Sequence, residues 1–143
     1  MDPLNASPRP ALSVPLAVAA VGTLTVLVVD DDPTFCVIMC EILKMYNARV
    51  FTAYSAEEAI AVLEATAPDL ILTDVMMPEV DGLTFVRRIR AEQPYARVPV
   101  IVVSAGVSSR EQAAALQAGA DSFLPKPFSL KDLREAVGTL LPA

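Results

Sequence analysis

Four short apolar runs in this chain are each followed by a residue whose side chain can bind a phosphoryl group or a metal ion. The runs cover residues 26–29, 70–73, 100–103 and 122–125. Such runs are typical of strands buried on both faces, as in parallel sheets. The residues that follow them are Asp30 and Asp31, then Asp74, then Ser104, and finally Lys126. Because ligands in open α/β sheets bind outside the carboxyl ends of the strands, we expect these side chains to converge at one edge.

Helix signals alternate with the strand-like runs. Asp32-Pro33 predicts a helix N-cap followed by the first helical residue, and Gly119 predicts the end of a helix over residues 108–118. Two segments, 55–58 and 129–132, resemble capping boxes. Apolar residues at helical spacing predict the faces that the helices turn to the core: Phe35, Ile38, Met39 and Ile42; Ala59, Ile60 and Leu63; Leu83, Val86 and Ile89; Leu130, Leu133, Val137 and Leu140. Together these signals predict an α/β protein with a doubly wound, five-stranded parallel sheet.

Composition excludes several kinds of chemistry. The 143 residues include no histidine, which removes His-based acid–base catalysis, triads with His and most catalytic zinc sites. A net charge of −6 argues against nucleic-acid binding through the general field of the chain. Cys36 and Cys40 lie on one helical face without a second metal-ligand pair, so we interpret them as small buried side chains in a reducing compartment.

The first 24 residues differ from the rest. Four prolines fall within residues 1–15, and the apolar stretch 11–22 is too short to span a bilayer. That stretch also has features of a weak signal-peptide core, but it runs directly into the first strand. We therefore predict a tail or linker over residues 1–24 and a folded domain over residues 25–143.

Five segments in order carry a family resemblance. They cover residues 28–33, 72–82, 102–105, 119–121 and 126–128, and they include the Asp-Asp-Asp-Pro and Lys-Pro-Phe motifs. With this spacing, residues 25–143 resemble the receiver domain of two-component response regulators, in the chemotaxis-regulator-like group. The resemblance implies a (βα)5 flavodoxin-like fold with strand order 2-1-3-4-5.

The resemblance also implies a role for each site residue. Asp74 would accept the phosphoryl group, while Lys126 and Ser104 would contact its oxygens. Mg²⁺, with Mn²⁺ as a substitute, would be held by Asp31 and Asp74 directly, by Asp30 through water, and by the backbone carbonyl of Met76.

The same resemblance implies a conformational switch and two positions that influence how long the acyl phosphate survives. Ser104 would move toward the phosphoryl group while Phe123 turns inward behind it, although Phe123 also fits a plain core role. Met76 and Gly106 occupy positions that influence the lifetime of the acyl phosphate. The Lys126–Pro127 peptide bond is expected to be cis.

The implied function is a phosphorylation-dependent signalling switch in the cytoplasm. The domain would take its phosphoryl group from a histidine kinase or a histidine phosphotransfer protein. It would catalyse its own phosphorylation and dephosphorylation without being a conventional enzyme. A homodimer could form through the fourth helix, fifth strand and fifth helix, with no direct contact to nucleic acid or membrane. Two alternatives stay open: a constitutive interaction module that has lost signalling, and a phosphatase for a foreign substrate. Whether the receiver stands alone or belongs to a larger protein is also open.

Overall fold

The computed structural model describes residues 24–75, 81–92, 95–105 and 108–140. Strands and helices alternate along the chain, as the sequence pattern predicts. In order they are β1 (Leu24–Val29), α1 (Pro33–Lys44), β2 (Ala48–Ala53), α2 (Ala56–Thr66), β3 (Leu70–Thr73), α3 (Gly82–Arg90), a short 3-10 helix (Tyr95–Arg97), β4 (Val100–Ser104), α4 (Ser109–Ala118), β5 (Ser122–Pro125) and α5 (Leu130–Leu140). No helix in these ranges has the length and apolar character needed to cross a bilayer.

All five strands are parallel and lie in the order β2-β1-β3-β4-β5, which confirms the predicted sheet. The chain moves outward from β1 to β2 on one side and from β3 to β5 on the other. The order therefore reverses between β1 and β3. Crevices at such a reversal, outside the carboxyl ends of the strands, are where doubly wound sheets bind ligands.

The helices begin where the capping residues predict. The Asp32 carboxylate accepts from the Thr34 amide at 3.0 Å, with Pro33 next in the chain. Reciprocal capping boxes open α4 and α5. The box predicted at α2 is incomplete: Ser55 accepts from the Glu58 amide, but the Glu58 carboxylate accepts from Tyr54 rather than from Ser55. The helix still begins at Ala56, with Ser55 as its N-cap.

The sheet divides the core into two clusters. The first cluster lies under α1 and α5 and includes Cys36, Met39, Leu43, Leu133 and Val137. The second cluster lies under α2, α3 and α4 and includes Ala59, Leu63, Phe85, Ile89 and Ala115. Burial of β1, β3 and β4 on both faces explains why these strands are continuous apolar runs. The edge strands β2 and β5 are only partly buried, so the expectation that residues 122–125 are buried on both faces is wrong.

Two residues that the helical pattern turns inward are exposed instead. Ile38 is 49% exposed and Leu130 is 44% exposed. On α1 the buried face is centred on Cys36, Met39 and Leu43, which shifts the covered stripe away from Ile38. Leu130 is the first residue of α5, and the buried side chains of this helix are Leu133 and Val137, further along it.

Arg90 ties together the edge of the sheet opposite the acidic residues. Its guanidinium donates to the carbonyls of Val98 at 2.6 Å and Gly119 at 2.9 Å, and it pairs with Asp121 at 2.8 Å. The same Asp121 oxygen accepts from the Val100 amide at 2.9 Å. One side chain thus joins the end of α3 to the starts of β4 and β5.

We expect Arg90→Ala to lower the free energy of unfolding by about 2 kcal/mol or more, because several charge-assisted hydrogen bonds are lost together. The matched control is Arg88→Ala, which removes an exposed pairing with Glu92 at 3.8 Å. That control should change stability by less than about 0.5 kcal/mol. Urea denaturation measures both, and equal losses in the two variants would contradict the role of Arg90.

Candidate functional site

Three carboxylates meet at the carboxyl edge of the sheet. Asp30 and Asp31 follow β1, and Asp74 follows β3, the two strands on either side of the reversal. One oxygen from each carboxylate lies within 4.8 Å of the others. Asp30 is 1% exposed and Asp74 is 8% exposed, whereas Asp31 is open to solvent. The sequence prediction that these acids converge is confirmed.

Lys126 reaches the acidic cluster from the end of β5. Its ammonium nitrogen lies 2.7 Å from Asp30 Oδ2 and 3.7 Å from Asp74 Oδ2. Its backbone amide donates to the carbonyl of Ser104 at 2.9 Å, which anchors the loop beside β4. The Lys126–Pro127 peptide bond is cis, as expected.

Backbone amides hold the carboxylates in place. The Asp32 amide donates to Asp30 Oδ1 at 2.9 Å, and the Val75 amide donates to Asp74 Oδ1 at 2.7 Å. The buried Thr73 hydroxyl donates to the Asp74 carbonyl at 3.0 Å. Each buried carboxylate therefore keeps one oxygen bound to the protein and turns the other, Oδ2, toward Lys126.

Ser104 and Phe123 lie near this edge on the two last strands. Ser104 ends β4 and is 3% exposed, and the register of the sheet places it beside Pro125, the residue before Lys126. Phe123 is partly buried and packs against the second cluster. Met76 and Gly106 lie outside the described residues.

The donor set suits Mg²⁺. Carboxylate oxygens are the ligands that this hard cation prefers, and it is normally bound by one or two carboxylates with several waters retained. Here one acid is exposed enough to face such waters, while the two buried acids are already fixed by backbone amides. Among the described residues, these three carboxylates outnumber the Lys126 ammonium that pairs with Asp30 and Asp74, and the excess negative charge favours a divalent cation.

Cys36 packs beneath the site as a neutral thiol. Its Sγ donates to the Asp30 carbonyl at 3.4 Å. Burial raises the pKa of Cys36 to about 11, with a further contribution from the negative charge of Asp30. Burial also raises the pKa of Cys40. Both thiols are therefore protonated at neutral pH. Cys36 is buried as the sequence interpretation expects, whereas Cys40 is only partly buried.

Two residues contribute to the site in ways that the sequence analysis missed. The Lys126 ammonium lies 4.1 Å from the ring centroid of Phe35, in the first turn of α1. Gly82 lies so close to the Asp74 carbonyl that a Cβ atom there would overlap it. An Asp-Gly pair is typical of a turn, but here Asp81 caps α3 and Gly82 begins it. A glycine inside the first turn of an amphipathic helix is the signal that could have indicated a close contact.

We expect Gly82→Ala to destabilise the fold by about 1–3 kcal/mol, because the methyl group would push against the backbone of Asp74. The matched control is Gly138→Ala in α5, where a Cβ atom would meet nothing within 4 Å. Alanine there should stabilise the fold by about 0.5–1 kcal/mol through helix propensity. Thermal unfolding distinguishes the two, and a neutral Gly82→Ala would show that the contact is dispensable.

Comparison with known proteins agrees with this geometry. Residues 26–138 match the model of the response regulator receiver domain. The chain belongs to this family. Residues 26–138 are therefore a receiver domain, the phosphorylatable switch of two-component signalling.

One curated relative and two solved structures illustrate the similarity. The transcriptional regulatory protein TrcR of Mycobacterium tuberculosis is 36% identical over 110 residues, which are 77% of this chain and 42% of TrcR. The chain therefore spans less than half of that relative. The chemotaxis protein CheY4 of Vibrio cholerae superposes with a TM-score of 0.79 at 28% identity, covering 84% of this chain and 100% of CheY4.

The second structure contains a metal ion. It is the receiver domain of the sensor histidine kinase PA1611 from Pseudomonas aeruginosa, with magnesium coordinated in its active site cleft. It superposes with a TM-score of 0.76 at 28% identity and covers 83% of this chain and 98% of that domain.

Proposed function

We propose that Asp74 accepts a phosphoryl group from a phosphohistidine of a histidine kinase or a histidine phosphotransfer protein. The observation that carries this proposal is the arrangement of Asp74 itself. Its Oδ1 is held by the Val75 amide at 2.7 Å, and its Oδ2 lies 3.7 Å from the Lys126 ammonium, at the edge where the other acids converge. A fixed nucleophilic oxygen beside a cation is the minimal requirement for this transfer.

Besides Asp74 and the phosphohistidine donor, the transfer consumes only a proton. An Asp74 oxygen forms a bond to phosphorus as the bond between phosphorus and the imidazole nitrogen of the donor breaks. The electron pair of the broken bond stays on that nitrogen, which is protonated by solvent. Lys126 and the Ser104 hydroxyl stabilise the charge on the phosphoryl oxygens while the bonds change. Hydrolysis of the acyl phosphate by water returns Asp74, so the domain also catalyses its own dephosphorylation.

The residues that would hold Mg²⁺ are Asp30, Asp31, Asp74 and the carbonyl of Met76, the last outside the described residues. When bound, the metal neutralises carboxylate and phosphoryl charge that would otherwise repel. Mn²⁺ has similar preferences for oxygen ligands and would substitute. Asp30 is paired with Lys126 at 2.7 Å, and if Asp30 served the metal site its hold on the ammonium would weaken, which would leave Lys126 available to the phosphoryl group.

The response to phosphorylation would pass through Ser104 and Phe123. Ser104 moves toward the phosphoryl group, and Phe123 fills the space behind it. Phe123 packs on the second cluster, which includes Ala115 and Ala118 of α4. The output face would then be α4, β5 and α5, where a homodimer or another partner binds. Met76 and Gly106 would influence how long the acyl phosphate survives.

We propose the remaining features on sequence grounds. The predicted division into a tail or linker over residues 1–24 and a receiver domain over residues 25–143 shifts by one residue, because Leu24 is already the first residue of β1 and is buried. The receiver works in the cytoplasm and does not itself contact nucleic acid or membrane. The net charge of −6 of this chain supports the proposal that it does not contact nucleic acid. The proposal does not extend to the parts of longer relatives such as TrcR that this chain does not match.

We expect Asp74→Asn to abolish labelling by a phosphohistidine donor or by acetyl phosphate, because an amide is a far weaker nucleophile. Asp69→Asn, at the other end of β3, is the matched control. Asp69 is exposed and accepts from the Thr25 amide, which an amide oxygen can still do. Mass spectrometry of the intact protein measures labelling. Undiminished labelling of Asp74→Asn would refute the assignment of the phosphoacceptor.

Binding of Mg²⁺ should raise the Tm, by linkage equivalent to about 2.7 kcal/mol at one hundred times its Kd. Asp31→Ala should reduce that rise and increase stability without metal, because it relieves repulsion within the acidic cluster. Glu57→Ala, an exposed acid in the first turn of α2, is the control and should keep the full rise. A Tm that does not respond to saturating Mg²⁺ would argue against the metal site.

A further inference from the structure

We propose that Phe35 is a positioning residue for Lys126. Its ring holds the Lys126 ammonium by a cation–π interaction, and this interaction is kept while Asp74 is phosphorylated. The inference rests on the proposed function, since it assumes that Lys126 serves the phosphoryl group. Its direct basis is the distance of 4.1 Å between Lys126 Nζ and the ring centroid of Phe35. Cations within about 6 Å of a ring face are attracted by its quadrupole.

The ring is itself fixed from a second direction. Phe35 and Phe128 are arranged edge to face, with centroids 6.3 Å apart and an interplanar angle of 83°. Phe128 follows Lys126 by two residues, so one short loop supplies both the ammonium and the aromatic ring that supports Phe35. These three residues also line the same groove of about 450 Å³, whose walls are mostly apolar. A weakly polar surrounding strengthens the attraction between ring and cation.

The Phe35 ring can hold the Lys126 ammonium without also serving as a metal ligand, which the carboxylates cannot do. Asp30 pairs with the ammonium at 2.7 Å, but Asp30 also belongs to the cluster that suits a metal ion. An aromatic face does not compete for that ion, so its hold on the ammonium persists when Asp30 is recruited elsewhere. Lysine has a flexible four-carbon stem and loses much rotamer freedom when it is placed. A partner that stays in place reduces that loss at the moment when the phosphoryl group arrives.

A fluorination series at position 35 separates this role from simple packing. Replacing Phe35 with its 4-fluoro, 3,5-difluoro and 3,4,5-trifluoro analogues weakens the negative ring face in steps while changing its size little. The initial rate of Asp74 phosphorylation by acetyl phosphate, at fixed Mg²⁺, should fall in the same order. We expect a total decrease of about three- to fivefold, the range of a partly exposed cation–π pair. The Phe35→Leu variant should show a phosphorylation rate as low as that of the trifluoro analogue, and the Phe35→Trp variant should keep the rate of the unsubstituted chain.

Phe51 provides the matched control for this series. Its ring faces a cation too, the guanidinium of Arg49 at 5.9 Å, but it lies on β2 away from Lys126. The same fluorinated analogues at position 51 should leave the phosphorylation rate unchanged. Any loss that follows fluorination at both positions would be an effect of the analogues themselves and would count against the proposal.

A second measurement needs neither metal nor phosphoryl donor. The methylene protons next to the Lys126 ammonium should resonate upfield in the metal-free protein because of the ring current of Phe35. Phe35→Leu should return them to ordinary positions. Rates that stay flat across the series while the unsubstituted chain is labelled on Asp74 would overturn the inference alone. Absence of labelling on Asp74 in the unsubstituted chain would overturn the proposed function and the inference together.

Discussion

Electrostatic repulsion among three carboxylates, confined within 4.8 Å of one another, is the constraint on which the rest of this structure depends. Two of these acids are buried, and each is held by a backbone amide on one oxygen and faces the Lys126 ammonium with the other. The parallel sheet makes this possible, because it brings the ends of β1, β3 and β5 to one edge. In the part of the chain that the structure describes, one ammonium faces this cluster of three carboxylates and cannot balance it, so the site favours further positive charge.

Most of the fold could be predicted from the sequence because its local signals agree with one another. Strands buried on both faces read as unbroken apolar runs, and Asp32, Ser108 and Ser129 cap helices as their types predict. The exceptions are Ile38 and Leu130, which are half-exposed although they follow the helical period. Periodicity indicates which residues share a face, but how far the neighbouring elements cover that face depends on tertiary packing.

The candidate site could be predicted as far as strand ends determine it. Asp30, Asp31, Asp74 and Lys126 come together because each directly follows a strand. Phe35 was missed because an aromatic residue on an amphipathic helix is usually a core residue, and its contact with Lys126 joins positions far apart in the chain. Gly82 was missed for a similar reason, since a glycine after aspartate ordinarily indicates a turn and not a backbone contact.

The division of the core by the sheet separates two parts of the proposed mechanism. Phe35 and Phe128, beside Lys126, pack on the first cluster, whereas Phe123 packs on the second cluster with the underside of α4. Side chains on opposite faces of a sheet share few neighbours, so substitutions in the two clusters should combine almost additively. A lineage can therefore vary the residues that respond to phosphorylation without disturbing those that position the lysine. This architecture allows Phe123 and the aromatic support of Lys126 to vary separately within a single small domain, even though α5 of the proposed output face packs on the first cluster.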